Sequence, residues 1–337
     1  MPNVAKTKML LSLGIISLAV NDVALAQSVG QSSVEQIISD QRARQIARQI
    51  SDSISRRVTG DLDSTFAGPQ TKENKKGASA DGNPLVPDSV WSAFSWSRIS
   101  DDANLGASFD VDIYQSTTGI DYNVGNFYFG GTLTYAGTTA ETEFGAFRTD
   151  GSTHSVGVTP YAAYVINKNF FLSAMSGYTY SNNNTRNNFG FDIPESETDA
   201  YQTEVDLNGL HVIGQWFMKG KIGTRYQHGH TKTDPTMIGG VQIAPGNRSN
   251  ADSWTYLVDS ELGYAFKNGL KAFTGVLFEY NNPSHDLGLA DGVFYYSAGV
   301  DYAVNNKLSL GTKVQTDLTN EDIDLTTVAL TARLALD

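Results

Sequence analysis

The 337-residue sequence contains no cysteine, so disulfide-stapled folds and thiol chemistry are excluded. It also lacks a second long apolar run after the N-terminus, although a membrane-spanning helix needs about 20 apolar residues. Basic residues are few, because 24 Lys and Arg stand against 36 Asp and Glu, which gives a net charge of −12. That charge disfavours binding to nucleic acid or to anionic head groups. Abundant Gly, Tyr and Phe are instead typical of strands and turns.

The N-terminus has the features of an export signal. Lys6 and Lys8 precede the apolar run Met9–Val20, and small residues at 24 and 26 form an A-x-A pattern. The pattern predicts a signal peptide over 1–26, with cleavage between Ala26 and Gln27. The alternative is a buried N-terminal helix. For an exported chain without a membrane-spanning helix, the membrane-embedded option is a β-barrel.

The next segment, 27–59, is predicted to contain an amphipathic helix over 33–58, because apolar residues recur at four-residue spacings. These residues are Val34, Ile38, Ile46, Ile50, Ile54 and Val58. The other faces are basic and carry Arg42, Arg44, Arg48, Arg56 and Arg57. Residues 60–88 have no apolar period and are rich in Gly, Pro, Asp and Lys, which predicts a flexible linker.

From residue 89 to 337 the sequence consists of strand-like runs of about ten residues that alternate apolar and polar side chains. Short connections are predicted at 122–126, 167–169, 218–220, 267–269 and 305–307. Longer polar loops are predicted near 100–106, 138–151, 181–203, 231–251, 282–291 and 318–322. Short turns and long loops in alternation are typical of a transmembrane barrel. We therefore predict an all-β fold, a twelve-stranded antiparallel transmembrane β-barrel preceded by one α-helix and a flexible linker.

The two faces of each strand differ in the same way along the chain. In the third strand Phe127, Phe129 and Leu133 share one face, whereas small or polar residues such as Thr132 and Thr134 share the other. We predict that the bulky faces meet lipid and the polar faces line a wet lumen. A further predicted lipid-facing set is Leu210, Val212, Trp216 and Met218. A soluble β-sandwich, which also alternates, is the alternative.

Charged residues on the polar faces are candidates for the lumen: Asp259, Glu261, Lys313 and Arg333. They would set ion selectivity if the pore is open; the alternative is that they pair with one another or solvate the lumen. His228 and His230 share a face, but two imidazoles without a third ligand favour a surface pair over a metal site. The run 284–286, Ser-His-Asp, does not make a triad from adjacent residues. We therefore expect no catalytic residue, no metal and no cofactor.

The motifs of the barrel region resemble the C-terminal β-barrel domain of autotransporters (type V secretion). The resemblance is carried by Trp91, by FDVDIYQSTTGIDYNVGNFYFGGTLTYAG (109–137) and by VGVTPYAAYVINKNFFLSAMSGYTYSNNNTR (156–186). It implies a barrel in the outer-membrane lipid of a Gram-negative cell, folded by the barrel-assembly machinery. It also implies a helix, upstream of the first strand, that can lie in the lumen.

Only residues 27–32 would precede the helix in the mature chain, so we expect no sizeable passenger. The favoured hypothesis is a barrel with a structural or surface-interaction role, its lumen plugged by helix 33–58. The alternative is an open, porin-like channel with the helix in the periplasm, and an outer-membrane hydrolase is a remote third. The polar loop 181–200 is the best candidate for contact with a surface ligand. The sequence does not indicate an oligomeric state.

Overall fold

The computed structural model describes residues 41–60, 87–101, 108–144, 147–187, 195–238, 241–283, 292–319 and 323–336. The predicted signal peptide 1–26, with Ala26 and Gln27, and residues 61–86 of the predicted linker lie outside this part of the chain. The chain divides into two compact units, Met1–Arg44 and Gln45–Asp337. The second unit contains all of the strands and the helix from Gln45 onward, and the description of the site concerns this unit.

In the described part of the chain fourteen strands follow the helix, and twelve of them form a closed antiparallel barrel. The strands are β1 (Ser89–Asp101), β2 (Ser108–Val124), β3 (Phe127–Phe144), β4 (Phe147–Asn167), β5 (Phe170–Asn187), β6 (Ser196–Ile213), β7 (Trp216–Thr233), β8 (Thr236–Ile238), β9 (Val241–Ala244), β10 (Asn247–Ala265), β11 (Leu270–Pro283), β12 (Gly292–Ala303), β13 (Leu308–Asp317) and β14 (Ile323–Ala335). Each barrel strand pairs with its neighbours, and β14 pairs with β1 to close the barrel. β8 and β9 form a separate two-stranded sheet in the connection from β7 to β10, and β7 and β10 pair directly with each other. The twelve-stranded barrel is thus confirmed, and the β-sandwich alternative is wrong.

The two ends of the barrel differ, and we call them the short-turn end and the long-loop end. The first residue of β1 and the last residue of β14 lie at the short-turn end. There Leu336 N donates to Asp88 O (2.9 Å), and Asp88 N donates to Asp121 O (2.8 Å). Glycines with positive φ, Gly125 and Gly214, shape two of the tight turns there. Both ends of the β-domain therefore lie on one side, as an even strand number requires.

One predicted turn is wrong. The turn between β6 and β7 lies at residues 214–215, not at 218–220. The polar Lys219 suggested a turn, but its side chain points into the lumen and pairs with Glu261. The shift also separates the residues that we had placed on one lipid-facing surface. Leu210 is buried with Phe217 inside the barrel, whereas Trp216 and Met218 face outward.

The wall is tall on one side and short on the other. β4 has 21 residues and β10 has 19, whereas β13 has 10. A tilted strand needs about 9–11 residues to cross a bilayer, so the tall strands continue beyond it. The predicted loops 138–151, 181–203 and 231–251 are therefore partly strand. Alternation did not reveal these extensions, because both faces of a strand are polar where no lipid is in contact with them.

The outer surface of the barrel is apolar around its middle, and the interior holds the charged groups. Phe127 and Leu133 are exposed on the outside, whereas Thr132 and Thr134 are buried inside. Fully buried side chains inside the barrel include Glu204 and Arg225. This inverted arrangement is that of a protein dissolved in lipid, since polar residues on the lipid face would be unfavourable.

The single described helix, α1 (residues 41–60), lies inside the barrel over its length from Gln45 onward. At about 1.5 Å per residue, α1 is roughly 30 Å long. Its C-terminal end lies at the short-turn end, because Arg57 contacts Asp121, while Arg48 contacts Glu279 towards the long-loop end. Within the described residues, no helix combines the length and the apolar character needed to cross a bilayer.

Candidate functional site

One face of α1 is apolar and packs against an apolar sector of the wall. Ile46, Ile50, Ile54 and Val58 are almost completely buried, in agreement with the four-residue spacing in the sequence. They belong to one cluster with inward-facing residues of β1, β3, β4 and β5: Trp91, Ala93, Tyr128, Ala136, Tyr161, Ala163, Val165, Phe171 and Met175. The predicted wet lumen therefore does not extend to this sector of the wall. Wall residues that face the helix stripe are apolar because α1, not water, covers them.

The opposite face of α1 forms ion pairs with the wall. Arg48 donates from Nε to Glu279 Oε1 on β11 (2.9 Å) and from Nη2 to the Tyr295 hydroxyl (2.8 Å). Glu279 lies 3.6 Å from Arg225 Nη1, and Arg225 Nε donates to Glu204 Oε2 at 2.6 Å. Glu204, Arg225 and Glu279 are fully buried, so this chain of alternating charges is sealed from solvent. Breaking any link would leave a buried charge without its partner.

A second group of contacts surrounds the middle of α1. Lys313 Nζ donates to Asp52 Oδ2 at 2.7 Å, and Lys221 Nζ lies 3.6 Å from the other Asp52 oxygen. The Ser51 hydroxyl donates to Asp206 Oδ2 (3.0 Å) and accepts from Lys221 Nζ (3.0 Å). The helix carboxylate is thus held by two lysines, one from β13 and one from β7.

The last turns of α1 carry two arginines into the short-turn end. Arg57 Nε donates to Asp121 Oδ2 (3.1 Å), a buried carboxylate that also accepts from Ser89 Oγ (2.6 Å). Arg56 Nη1 donates to Asp301 Oδ2 (2.6 Å), and Arg56 Nη2 lies 3.5 Å from Glu261 Oε2. Both strands and helix therefore contribute to a charged floor of the lumen at the short-turn end.

Aromatic rings complete this floor. The Arg56 guanidinium lies 4.4 Å from the ring centroid of Phe273, and the Arg57 guanidinium lies 5.3 Å from that of Tyr128. Such distances allow cation–π attraction. The ring of Trp91 lies over Gly119, where a Cβ atom would come within 2.4 Å of Trp91 Cε2. Only glycine at this position lets the ring lie flat against the wall.

The predicted lumen-facing residues occupy several levels of the interior. Lys313 binds Asp52 of α1, while Glu261 accepts a hydrogen bond from Lys219 Nζ (2.6 Å). Asp259 lines a small cavity beside the helix. Arg333 lies next to the last helical residue, since a Cβ at Gly60 would be 3.8 Å from Arg333 Nη1.

Among the predicted basic residues of the helix, Arg48, Arg56 and Arg57 contact the wall, whereas Arg42 and Arg44 belong to the first described turn, in the other unit. The wall partners Glu279, Asp301 and Asp121 were not predicted. Arg48 and Glu279 are 231 residues apart, and only strand order brings them together. The sequence signal that could have identified two of these partners is the acidic residue at an inward-facing position of β11 (Glu279) and of β12 (Asp301).

The histidine pair lies on the outer surface near the long-loop end. His228 Nδ1 contacts Asp252 Oδ1 (2.8 Å), and His230 Nδ1 contacts Asn250 Oδ1 (2.6 Å), so each histidine has its own partner on β10. Among the described residues, no group of three His, Asp or Glu side chains is placed to hold a metal ion. The Ser-His-Asp run at 284–286 lies outside the described residues.

Comparison with known proteins points to one family. Residues 90–233 match the family model "Autotransporter beta-domain". The chain is structurally similar to the translocator domain of autotransporter NalP from Neisseria meningitidis, with a TM-score of 0.61 and 11% identity over 87% of this chain and 98% of that chain. No curated protein matches the sequence.

Two further autotransporter structures are similar. For the β-domain of the Bordetella autotransporter BrkA the TM-score is 0.59, with 15% identity over 74% of this chain and 100% of that chain. For the transport unit of the autotransporter AIDA-I from Escherichia coli the TM-score is 0.56, with 12% identity over 83% of this chain and 97% of that chain. Together with the apolar outer surface, the family match locates the protein in the bacterial outer membrane. The resemblance seen in the sequence is thus confirmed: residues 90–233 match the autotransporter β-domain model, and the barrel has the fold of autotransporter translocator domains.

Proposed function

We propose that this protein is an autotransporter-type outer-membrane barrel held shut by its own helix, with a structural or surface-interaction role. The observation that carries the proposal is the set of charged contacts between α1 and five different strands. Its members are Arg48–Glu279, Ser51–Asp206, Asp52–Lys313, Arg56–Asp301 and Arg57–Asp121. A helix that occupied the lumen without specific contacts would not need polar partners on five separate strands.

The composition of the interface supports a resident helix. Removing α1 would expose an apolar sector, including Phe171 and Met175, to water in the lumen. It would also leave Glu279, Asp121 and Asp301 without their helical arginines. Both effects are unfavourable, so the wall is better matched to the helix than to an open, water-filled pore.

The direction of α1 supports a topology in which the helix end at Gln45 points towards the long-loop end. In the outer membrane this end faces the exterior, because tight turns are periplasmic and long connections external. We propose that the extended strands of the tall side, including those flanking residues 188–194 within the segment 181–200, present the contact surface for a surface ligand. Outer-membrane lipid and the barrel-assembly machinery are the partners that the family implies.

Solute flux tests the plug. We expect liposomes containing the full chain to exclude sucrose, and those containing a variant without residues 45–60 to admit it, because the pore would then be open. A matched variant with Ser92→Ala, on the lipid-facing side of β1, should behave like the full chain. Equal sucrose flux with and without the helix would contradict the proposal.

Protease accessibility in intact cells tests the topology. An epitope placed after Ala26 should be cleaved by external protease, as should a control epitope placed at residues 188–194. Cleavage of the control epitope alone would place the chain before α1 in the periplasm. That result would favour the open, porin-like alternative.

A further inference from the structure

The helix does not fill the lumen evenly, and a polar gap remains on one side of it. A cavity of about 60 Å³ runs between α1 and the wall formed by β12, β13, β14 and β1. The helix contributes Gln45, Gln49 and Ser53, which lie on one face, and the wall contributes small residues such as Thr327 and Ala329. From residue 45 to residue 56 this gap follows α1 for roughly 16 Å, at about 1.5 Å per residue.

A second cavity of about 30 Å³ continues towards the short-turn end. It lies between α1 and strands β7 and β10, and its wall includes Lys219 and Glu261. Asp52, Arg56 and Lys313 line both cavities. The two spaces therefore adjoin at these three side chains and together form a polar route past the middle of the helix.

The size of the route limits what can pass. A cavity needs about 10–15 Å³ by this measure to hold one water molecule, so the two cavities have room for several waters in line. Water and small inorganic ions fit the route.

Two ion pairs cross the route from helix to wall. Lys313 Nζ binds Asp52 Oδ2 at 2.7 Å, and Arg56 Nη1 binds Asp301 Oδ2 at 2.6 Å. These side chains retain between 15% and 28% of their exposed surface, unlike the sealed pair of Glu204 and Arg225. Because they border water-sized space, they can separate without leaving a dry, unpaired charge.

We propose that the plugged barrel conducts small inorganic ions along this route, with the Asp52–Lys313 and Arg56–Asp301 pairs as its constriction. The inference rests on the proposed function, since it requires α1 to remain in the lumen. The two pairs are electrically balanced, so the wild-type route discriminates little between cations and anions. Neutralising one member of a pair leaves the opposite charge in the constriction and should bias conduction towards its counter-ion.

The first test is single-channel conductance and reversal potential of the full chain in a planar bilayer under a KCl gradient. Lys313→Gln should raise the conductance at least twofold and shift the reversal potential towards K⁺, because Asp52 loses a partner. Asp301→Asn should raise the conductance and shift the potential towards Cl⁻, because Arg56 loses a partner. Shifts in the same direction for both variants, or no shift, would overturn the proposal.

Filling the gap is the complementary test. Ala329→Phe places a ring in the larger cavity and should lower the conductance by more than half. Ala332→Phe, on the lipid-facing side of the same strand, is the matched control and should leave conductance unchanged. Equal conductance for the two variants would overturn the proposed route.

Sucrose flux, measured on the same proteins, separates this inference from the proposed function. If the full chain and the variants exclude sucrose but show no KCl conductance, the ion route fails and the plug stands. If the full chain admits sucrose, α1 does not close the barrel, and both proposals fail. Sucrose exclusion combined with conductance that responds to Ala329→Phe supports both.

Discussion

The two faces of α1 meet the barrel by different physical means. On one face four aliphatic side chains pack on an apolar sector of β1 and β3–β5. On the other face, charged side chains reach individual partners on β10–β13, and water-sized cavities lie between the contacts. Apolar contact adapts to shape and buries area, whereas each ion pair demands its own geometry.

The contrast shows how the lumen can hold a helix firmly and still leave water-sized space beside it. Apolar packing determines where α1 lies, because it is continuous from Ile46 to Val58. Ion pairs then determine the rotation of α1 about its own axis and its position along the barrel axis, since Arg48 and Arg57 each pair with one buried carboxylate. Pairs that border the cavities are partly exposed, so we expect them to contribute less to stability.

The largest effect is expected for Glu279→Gln, which removes the shared partner of Arg48 and Arg225. Loss of one member of a buried charge network should lower the free energy of unfolding of the barrel by about 3–5 kcal/mol. The measurement is the midpoint of guanidinium unfolding, followed by heat-modifiable gel mobility. Adding Arg48→Gln in the same chain should recover part of the loss, and no recovery would contradict the pairing.

A slightly smaller effect is expected for Ile50→Ala on the apolar face. Truncating a fully buried isoleucine should cost about 2–4 kcal/mol, which corresponds to helix release roughly 30- to 700-fold more often. Trypsin cleavage at the arginines of α1 in the folded barrel reports this release. Ile166→Ala, on the exposed outer surface, is the control. Equal cleavage rates for the two variants would show that the apolar face does not hold the helix.

The smallest effect is expected for Asp301→Asn, which breaks the partly exposed pair with Arg56 beside the cavity. Water can solvate the freed guanidinium, so the cost should be about 1 kcal/mol or less. In the same trypsin assay the cleavage rate should rise by less than roughly tenfold. A loss of unfolding free energy as large as that of Glu279→Gln would contradict the distinction between the fully buried ion pairs and those that border the cavities.

Much of the fold could be predicted because its signals are local. Alternation gave the outward face of β3, and the spacing of Ile46, Ile50 and Ile54 gave the buried stripe of α1. The prediction of a turn at 218–220 was wrong because Lys219 looked like a turn residue and is in fact a lumen residue. Leu210 was assigned to the wrong face for the same reason, since reading one strand through the true turn at 214–215 gave residues before the turn the same face as Trp216 and Met218.

The sequence by itself determined the strand number, the alternating faces, the export signal that we still predict and the presence of a basic, amphipathic helix before the barrel. These features depend on periods of two and four residues, which a linear chain displays directly. Only the tertiary structure decided that the lumen has an apolar sector and an ionic sector. Only closure of β14 on β1 brings Glu279, Asp301 and Asp121 around one helix, because their positions follow from strand order and register and not from their neighbours in sequence.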